Sequence, residues 1–97
     1  MSIKLIADSG SSKTEWCLMD GKKKIYIQTQ GISPYFLNVE QVQEILQKEL
    51  LGKLKKLTPD EIFFYGTGCS NPDNVKMVKN AIRKVFPKAK VNVDHDS

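Results

Sequence analysis

Ile3 to Ala7 is a short apolar run, and Asp8 and Gly10 stop it. That pattern predicts a buried strand. Thr14 to Met19 (TEWCLM) predicts a second strand, ended by DGKKK, in which Asp20-Gly21 is a strong hairpin signal. Lys24 to Gln30 (KIYIQTQ) alternates apolar and polar positions, as a half-exposed third strand does. The first three elements therefore read as an antiparallel meander.

The period then changes. Gly31 to Asn38 (GISPYFLN) reads as a loop. Val39, Val42, Leu46 and Leu50, with Ile45 beside them, form the stripe of one amphipathic helix over Val39–Leu54, with Asn38 as its N-cap. TPDE (Thr58 to Glu61) is a turn and Ile62 to Tyr65 a short strand. Gly66 to Asn74 (GTGCSNPDN) is a glycine-rich loop with a Pro-led helix start. Val75, Val78, Ala81, Ile82 and Val85 predict a second amphipathic helix that stops near Pro87, and Lys90 to Asp94 predicts a fifth strand. The order β-β-β-α-β-α-β implies an α/β fold, a mixed sheet with helices packed against it. The chain ends at Ser97, directly after the fifth strand, and the expectation is a half-domain truncated there.

Ninety-seven residues suffice for one small domain. Hydrophobic content of 40% and charged content of 27% are ordinary for a soluble protein. No apolar run reaches membrane-spanning length, and Asp8 interrupts the N-terminus too early for a signal peptide. The expectation is a cytoplasmic protein with no membrane partner. Cys17 and Cys69 then read as reduced packing thiols, with no CxxC pair to hold a metal. Net charge is +4, with lysines in GKKK, in GKLKK (Gly52 to Lys56) and across Lys76 to Lys90. Few arginines and no interleaved aromatics accompany them, so they read as solvated surface rather than a nucleic-acid footprint.

Three stretches could carry chemistry. In LIADSGSSKTEW (Leu5 to Trp16), a tight hairpin with Gly10 at its tip can turn several backbone N–H groups toward one anion. Ser9, Ser11, Ser12 and Thr14 can add hydroxyl donors, and Lys13 a positive charge. Asp8 could hold Mg²⁺ through water. Acid plus phosphate cradle suits a nucleotide, although the GxxxxGK[ST] spacing of a Walker loop is absent. The same residues also make a plain solvent-facing turn. YGTGCS (Tyr65 to Ser70) follows a strand and precedes a helix, where ligands gather in α/β sheets. It also reads as a tight loop using glycine for geometry. In VDHDS, Asp94, His95 and Asp96 offer candidate general bases, or three solvated polar residues. The single histidine excludes a multi-histidine metal site.

Taken in order, IADSGSSKTEW, TQGISPYF, FFYGTGCS and VNVDHDS resemble the N-terminal part of the sugar kinase/Hsp70/actin superfamily. The nearest branch is the N-acetylglucosamine kinases, grouped with the BadF/BadG/BcrA/BcrD-type ATPases. The resemblance runs from Ile3 to Ser97 and implies a ribonuclease H-like half-domain. It implies that Asp8 to Thr14 form the first phosphate loop, with Asp8 near Mg²⁺ and Ser12 touching the phosphates of ATP. It implies that the acid ending the fifth strand, Asp96 with Asp94 as the fallback, is the catalytic base toward a sugar hydroxyl. Ser33 and Tyr35, in GISPYF, would line the sugar pocket, and Gly66, Thr67 and Gly68 would lie at the cleft floor. Tyr35 takes the place where such kinases often carry an asparagine.

Such kinases close two domains over nucleotide and sugar, and this chain lacks the second phosphate loop and the adenosine site. The expectation is therefore a fragment of an ATP-dependent hexosamine kinase, inactive alone. Any homodimer of the longer protein would use the missing domain. Two other readings fit the same residues. One is a BadF-type ATPase that activates a partner redox enzyme, although Cys17 and Cys69 have no cluster spacing. The other is a small binding module that exploits the +4 charge.

Overall fold

Period-two burial decides the sheet. The structure, a computed structural model, describes residues Ser2–His95. Five strands form one sheet: β1 (Ile3–Ser9), β2 (Lys13–Asp20), β3 (Lys23–Gln30), β4 (Glu61–Gly66) and β5 (Lys90–His95). Their order is β3-β2-β1-β4-β5. β2 pairs antiparallel with both β1 and β3, while β4 is parallel to β1 and to β5. Leu5, Ala7, Trp16, Leu18, Ile27, Ile62, Phe64 and Val91 fall on one face and are buried. Lys4, Ile6, Asp8, Cys17, Tyr26, Phe63, Tyr65 and Asp94 alternate with them onto the reverse face, where they are half-buried or exposed. The β2–β3 turn has Gly21 at φ 64, the left-handed first position of a type II′ hairpin.

The helices cover the buried face. α1 (Val39–Ile45) starts at a complete capping box: the Asn38 side chain accepts from the Gln41 N–H, and the Gln41 side chain accepts from the Asn38 N–H, each at 2.9 Å. α2 (Pro72–Val85) has Asn71 as N-cap and proline at its first position. Val42, Ile45, Leu46, Leu50 and Leu54 meet Val78, Ala81 and Ile82 over the sheet in a single core. Trp16 and Phe64 lie at its centre with ring centroids 6.0 Å apart. The radius of gyration is 12.2 Å, against about 12.5 Å for a packed chain of this length. Among the described residues, no helix is long and apolar enough to cross a membrane.

One expected element is built differently. Val39–Leu54 is not a uniform helix. After Ile45 it widens into a π-helical turn over Leu46–Leu50 and tightens into a 3₁₀ turn over Leu51–Leu54. The cause lies in the leucine spacing. Val42, Leu46, Leu50 and Leu54 recur every four residues, which advances the stripe by about 40° per step in a 3.6-residue helix. The wider turn takes up that drift and keeps all four side chains in the core. The run ends at Lys55 and Lys56, both left-handed (φ 53 and 68).

Candidate functional site

β1, β3, β4 and β5 run in one direction, so their carboxyl ends share one edge of the sheet. Three loops gather there: Gly10–Ser12, Gly31–Asn38 and Thr67–Asn71. Backbone and side-chain bonds tie them together. The Thr67 N–H donates to the Ser9 carbonyl at 3.0 Å. The Ile32 N–H donates to Ser9 Oγ at 3.1 Å. Asn74 Nδ2 donates to the Gly68 carbonyl at 2.9 Å.

β1 outruns its expected length. Pairing on both sides, to Thr14 and to Gly66, carries it through Asp8 to Ser9. The parity of the strand then separates the predicted phosphate-loop residues. Ser9 and Thr14 belong to the helix-covered face and are fully buried. Their hydroxyls lie 2.7 Å apart, and Thr14 Oγ1 donates to the Gln30 carbonyl at 3.1 Å. They knit the base of the hairpin to the end of β3, so the expectation that they offer hydroxyls at the loop mouth is corrected. Gly10 is not the tip either, because its N–H donates to the Lys13 carbonyl at 2.9 Å. Ser11 and Ser12 form the tip. Both are exposed, and neither N–H has a hydrogen-bond partner among the described residues. Lys13 Nζ lies 3.3 Å from Glu15 Oε1, with both side chains more than half exposed, so this pair adds little stability.

Asp8 faces the other way, exposed on the reverse face. The register sets it in one row with Glu15 on β2, Tyr65 on β4 and Asp94 on β5. Asp8 and Asp94 are two strand spacings apart, about 10 Å between Cα atoms, with Tyr65 between them. No group of three or more His, Cys, Asp or Glu able to hold a metal occurs among the described residues. Mg²⁺ does not need one, since it binds through one or two carboxylates together with phosphate oxygens and water. Asp8 lies within four residues of the Ser11 and Ser12 amides, which have no partner among the described residues, while Lys13 Nζ sits on Glu15; a carboxylate and amide donors are the groups that a metal-bound phosphate would need. Asp96 lies outside the described residues.

Of the residues expected on the sugar side, Tyr35 and Gly68 come together. Tyr35 lies against Gly68: a Cβ built on Gly68 would meet the Tyr35 ring at 2.7 Å, and its φ is +83. Only glycine serves both the dihedral and the contact. Thr67 is exposed beside it, whereas Gly66 is buried over the Phe64 ring. Ser33 is 3% exposed, and its hydroxyl has no hydrogen-bond partner among the described residues. Buried hydroxyls without partners cost about 1–3 kcal/mol. Phe36, next to Tyr35, is 76% exposed.

The sequence takes in Gly31, Tyr65 and Glu15 only as members of GISPYF, YGTGCS and LIADSGSSKTEW, without a role of their own. A Cβ on Gly31 would collide with the Gly10–Ser11 peptide at 2.5 Å. The only signal in the chain is a glycine placed directly after a strand. Tyr65 and Glu15 join the row through register alone. Cys69 is buried beneath the same loop. Burial, and secondarily the Asp94 carboxylate, pushes its thiol up to about 11, consistent with the end of β5 lying close to this loop. A scan against protein-family models finds no match for the chain, and a search of curated proteins finds none either.

Proposed function

We propose that this chain is the phosphate-holding part of an ATP-dependent sugar kinase with a ribonuclease H-like sheet, acting on N-acetylglucosamine or a related hexosamine. One observation carries the reading. Asp8 and Asp94 share a row at the carboxyl ends of parallel strands, and β1 leads from Asp8 into a hairpin tip whose Ser11 and Ser12 amides have no partner among the described residues. The mixed sheet, an antiparallel meander followed by two parallel strands, agrees with that architecture.

In this reading Asp8 binds water-coordinated Mg²⁺, and Ser11, Ser12 and Lys13 hold phosphate oxygens. MgATP supplies the electrophilic γ-phosphoryl group. The chain's own part is to position that group and balance its charge, which is where most catalysis of phosphoryl transfer lies. Tyr35, packed on Gly68, offers an apolar face to a sugar ring, and Ser33 and Thr67 offer hydroxyls. The base that takes the sugar hydroxyl proton is the acid at the end of β5: Asp96 by resemblance, with Asp94 already in the row of Asp8. The adenosine site and second phosphate loop belong, by the same resemblance, to a second domain. This chain alone should therefore bind phosphate without turning over.

Amide chemical shifts of the ¹⁵N-labelled chain, titrated with ATP with and without Mg²⁺, test the reading. Mg²⁺-dependent shifts centred on Gly10–Lys13 are expected at millimolar ATP, and Asp8→Asn should remove their dependence on the metal. Shifts that ignore Mg²⁺, or none in this loop, would overturn it.

A further inference from the structure

The two lysine-rich stretches that the sequence presents as ordinary surface meet in space. GKLKK closes the 3₁₀ turn, and Arg83–Lys90 closes α2 and enters β5. Both lie at the amino ends of β4 and β5. Six residues of strand separate them from the candidate site, roughly 20 Å. Between them runs a groove of about 260 Å³.

Its walls are apolar. Leu51 and Leu57 come from one side, Phe86 and Pro87 from the other. Phe86 is 5% exposed and anchored in the core, while Leu51 stands 38% exposed at the groove's edge. Lys56 and Lys88 also line it, and no acidic residue among the described ones does. Neither lysine, nor the adjoining Lys55 and Lys84, forms an ion pair among the described residues. Lys55 and Lys56 also occupy consecutive left-handed conformations. Glycine or asparagine would take these at less strain. Unpaired positive charge is thus held, at a conformational cost, around an apolar slot.

We propose that this groove docks an acidic protein segment: a large apolar residue, leucine or phenylalanine, enters the slot, and flanking carboxylates meet Lys56 and Lys88. The volume is below the roughly 300–1,000 Å³ of small-molecule sites and suits an anchoring side chain. The charge complementarity sets the sign of the partner. A nucleic-acid backbone would leave the apolar walls unused, and a flat lipid surface would not enter a recessed floor.

The test uses three fluorescein-labelled peptides and anisotropy. The first has a central Leu-Phe flanked by glutamates. The second replaces Leu-Phe with serines. The third replaces the glutamates with lysines. The first should bind saturably. The other two, and the first against Lys56→Glu/Lys88→Glu, should bind at least about tenfold more weakly. Leu51→Ser, an exposed change that spares the core, should weaken it as well, with Trp16 emission confirming the fold. Amide shifts should fall on residues 51–58 and 84–88 and leave Gly10–Lys13 unmoved, so this result is independent of MgATP binding. No saturable binding by the first peptide would overturn the proposal. So would undiminished binding by the charge-reversed protein, or tighter binding to a homopolymeric RNA or to anionic phospholipid vesicles.

Discussion

Gly31 lies so close to Ser11 that a Cβ at position 31 would sit 2.5 Å from the Ser11 carbonyl oxygen. The end of β3 is the floor on which the β1–β2 hairpin rests. The neighbouring bonds from Ser9 to Ile32 and from Thr14 to Gln30 hold the same two segments together. The position of the free Ser11 and Ser12 amides thus depends on a residue twenty positions further along the chain.

Gly31→Ala must displace backbone on one side or the other. A loss of about 1–3 kcal/mol is expected, as for other overpacked sites. Urea unfolding followed by Trp16 emission measures it. The variant should also lose the response of Gly10–Lys13 to MgATP. Unchanged stability together with an unchanged response would show that the hairpin does not rest on Gly31.

Asp8→Asn should behave in the opposite way. Asp8 is exposed and forms no ion pair among the described residues, so stability should stay within about 0.5 kcal/mol of the parent. Only the metal dependence of phosphate binding should disappear. A large drop in stability would make Asp8 a structural residue and remove the argument for its exposure.

Thr29 accepts the Trp16 indole N–H at 2.9 Å inside the core. Thr29→Val leaves that donor buried without a partner and should cost about 1–3 kcal/mol. The pair Trp16→Phe/Thr29→Val removes donor and acceptor together. Its coupling energy in a double-mutant cycle should be favourable to the native pair. An additive cycle would show that the hydrogen bond contributes nothing.

Burial and the Asp94 carboxylate raise the Cys69 thiol from 9.0 to about 11. The folded form therefore holds its proton more tightly than the unfolded form. The resulting stability is fully present below pH 9 and fades as pH rises toward 11. Urea midpoints across that window should fall, and Cys69→Ser should flatten the fall. At pH 8, a thiol reagent should modify half-buried Cys17 well before buried Cys69. Equal rates would contradict the burial of Cys69.

What the chain alone determined was local. Alternation in KIYIQTQ, the apolar IKLIA run, the hairpin signal at Asp20-Gly21, and the Asn38 and Pro72 helix starts each depend on neighbours a few residues away, and each element appears within a residue or two of its expected place, with the turn itself at Gly21 and Lys22 and β1 running on to Ser9. Strand ends, the pitch of Leu46–Leu54 and the site depended on packing between distant segments. Ser9 and Thr14 look like Ser11 and Ser12 in composition, yet pairing parity buried the first two and left the others exposed. Asp8 and Asp94 entered one row, and Lys56 and Lys88 one groove, only through parallel pairing across long crossovers. Register is a property of two strands at once. No single stretch of sequence contains it, and the sheet settles it by burying the apolar parity of every strand together.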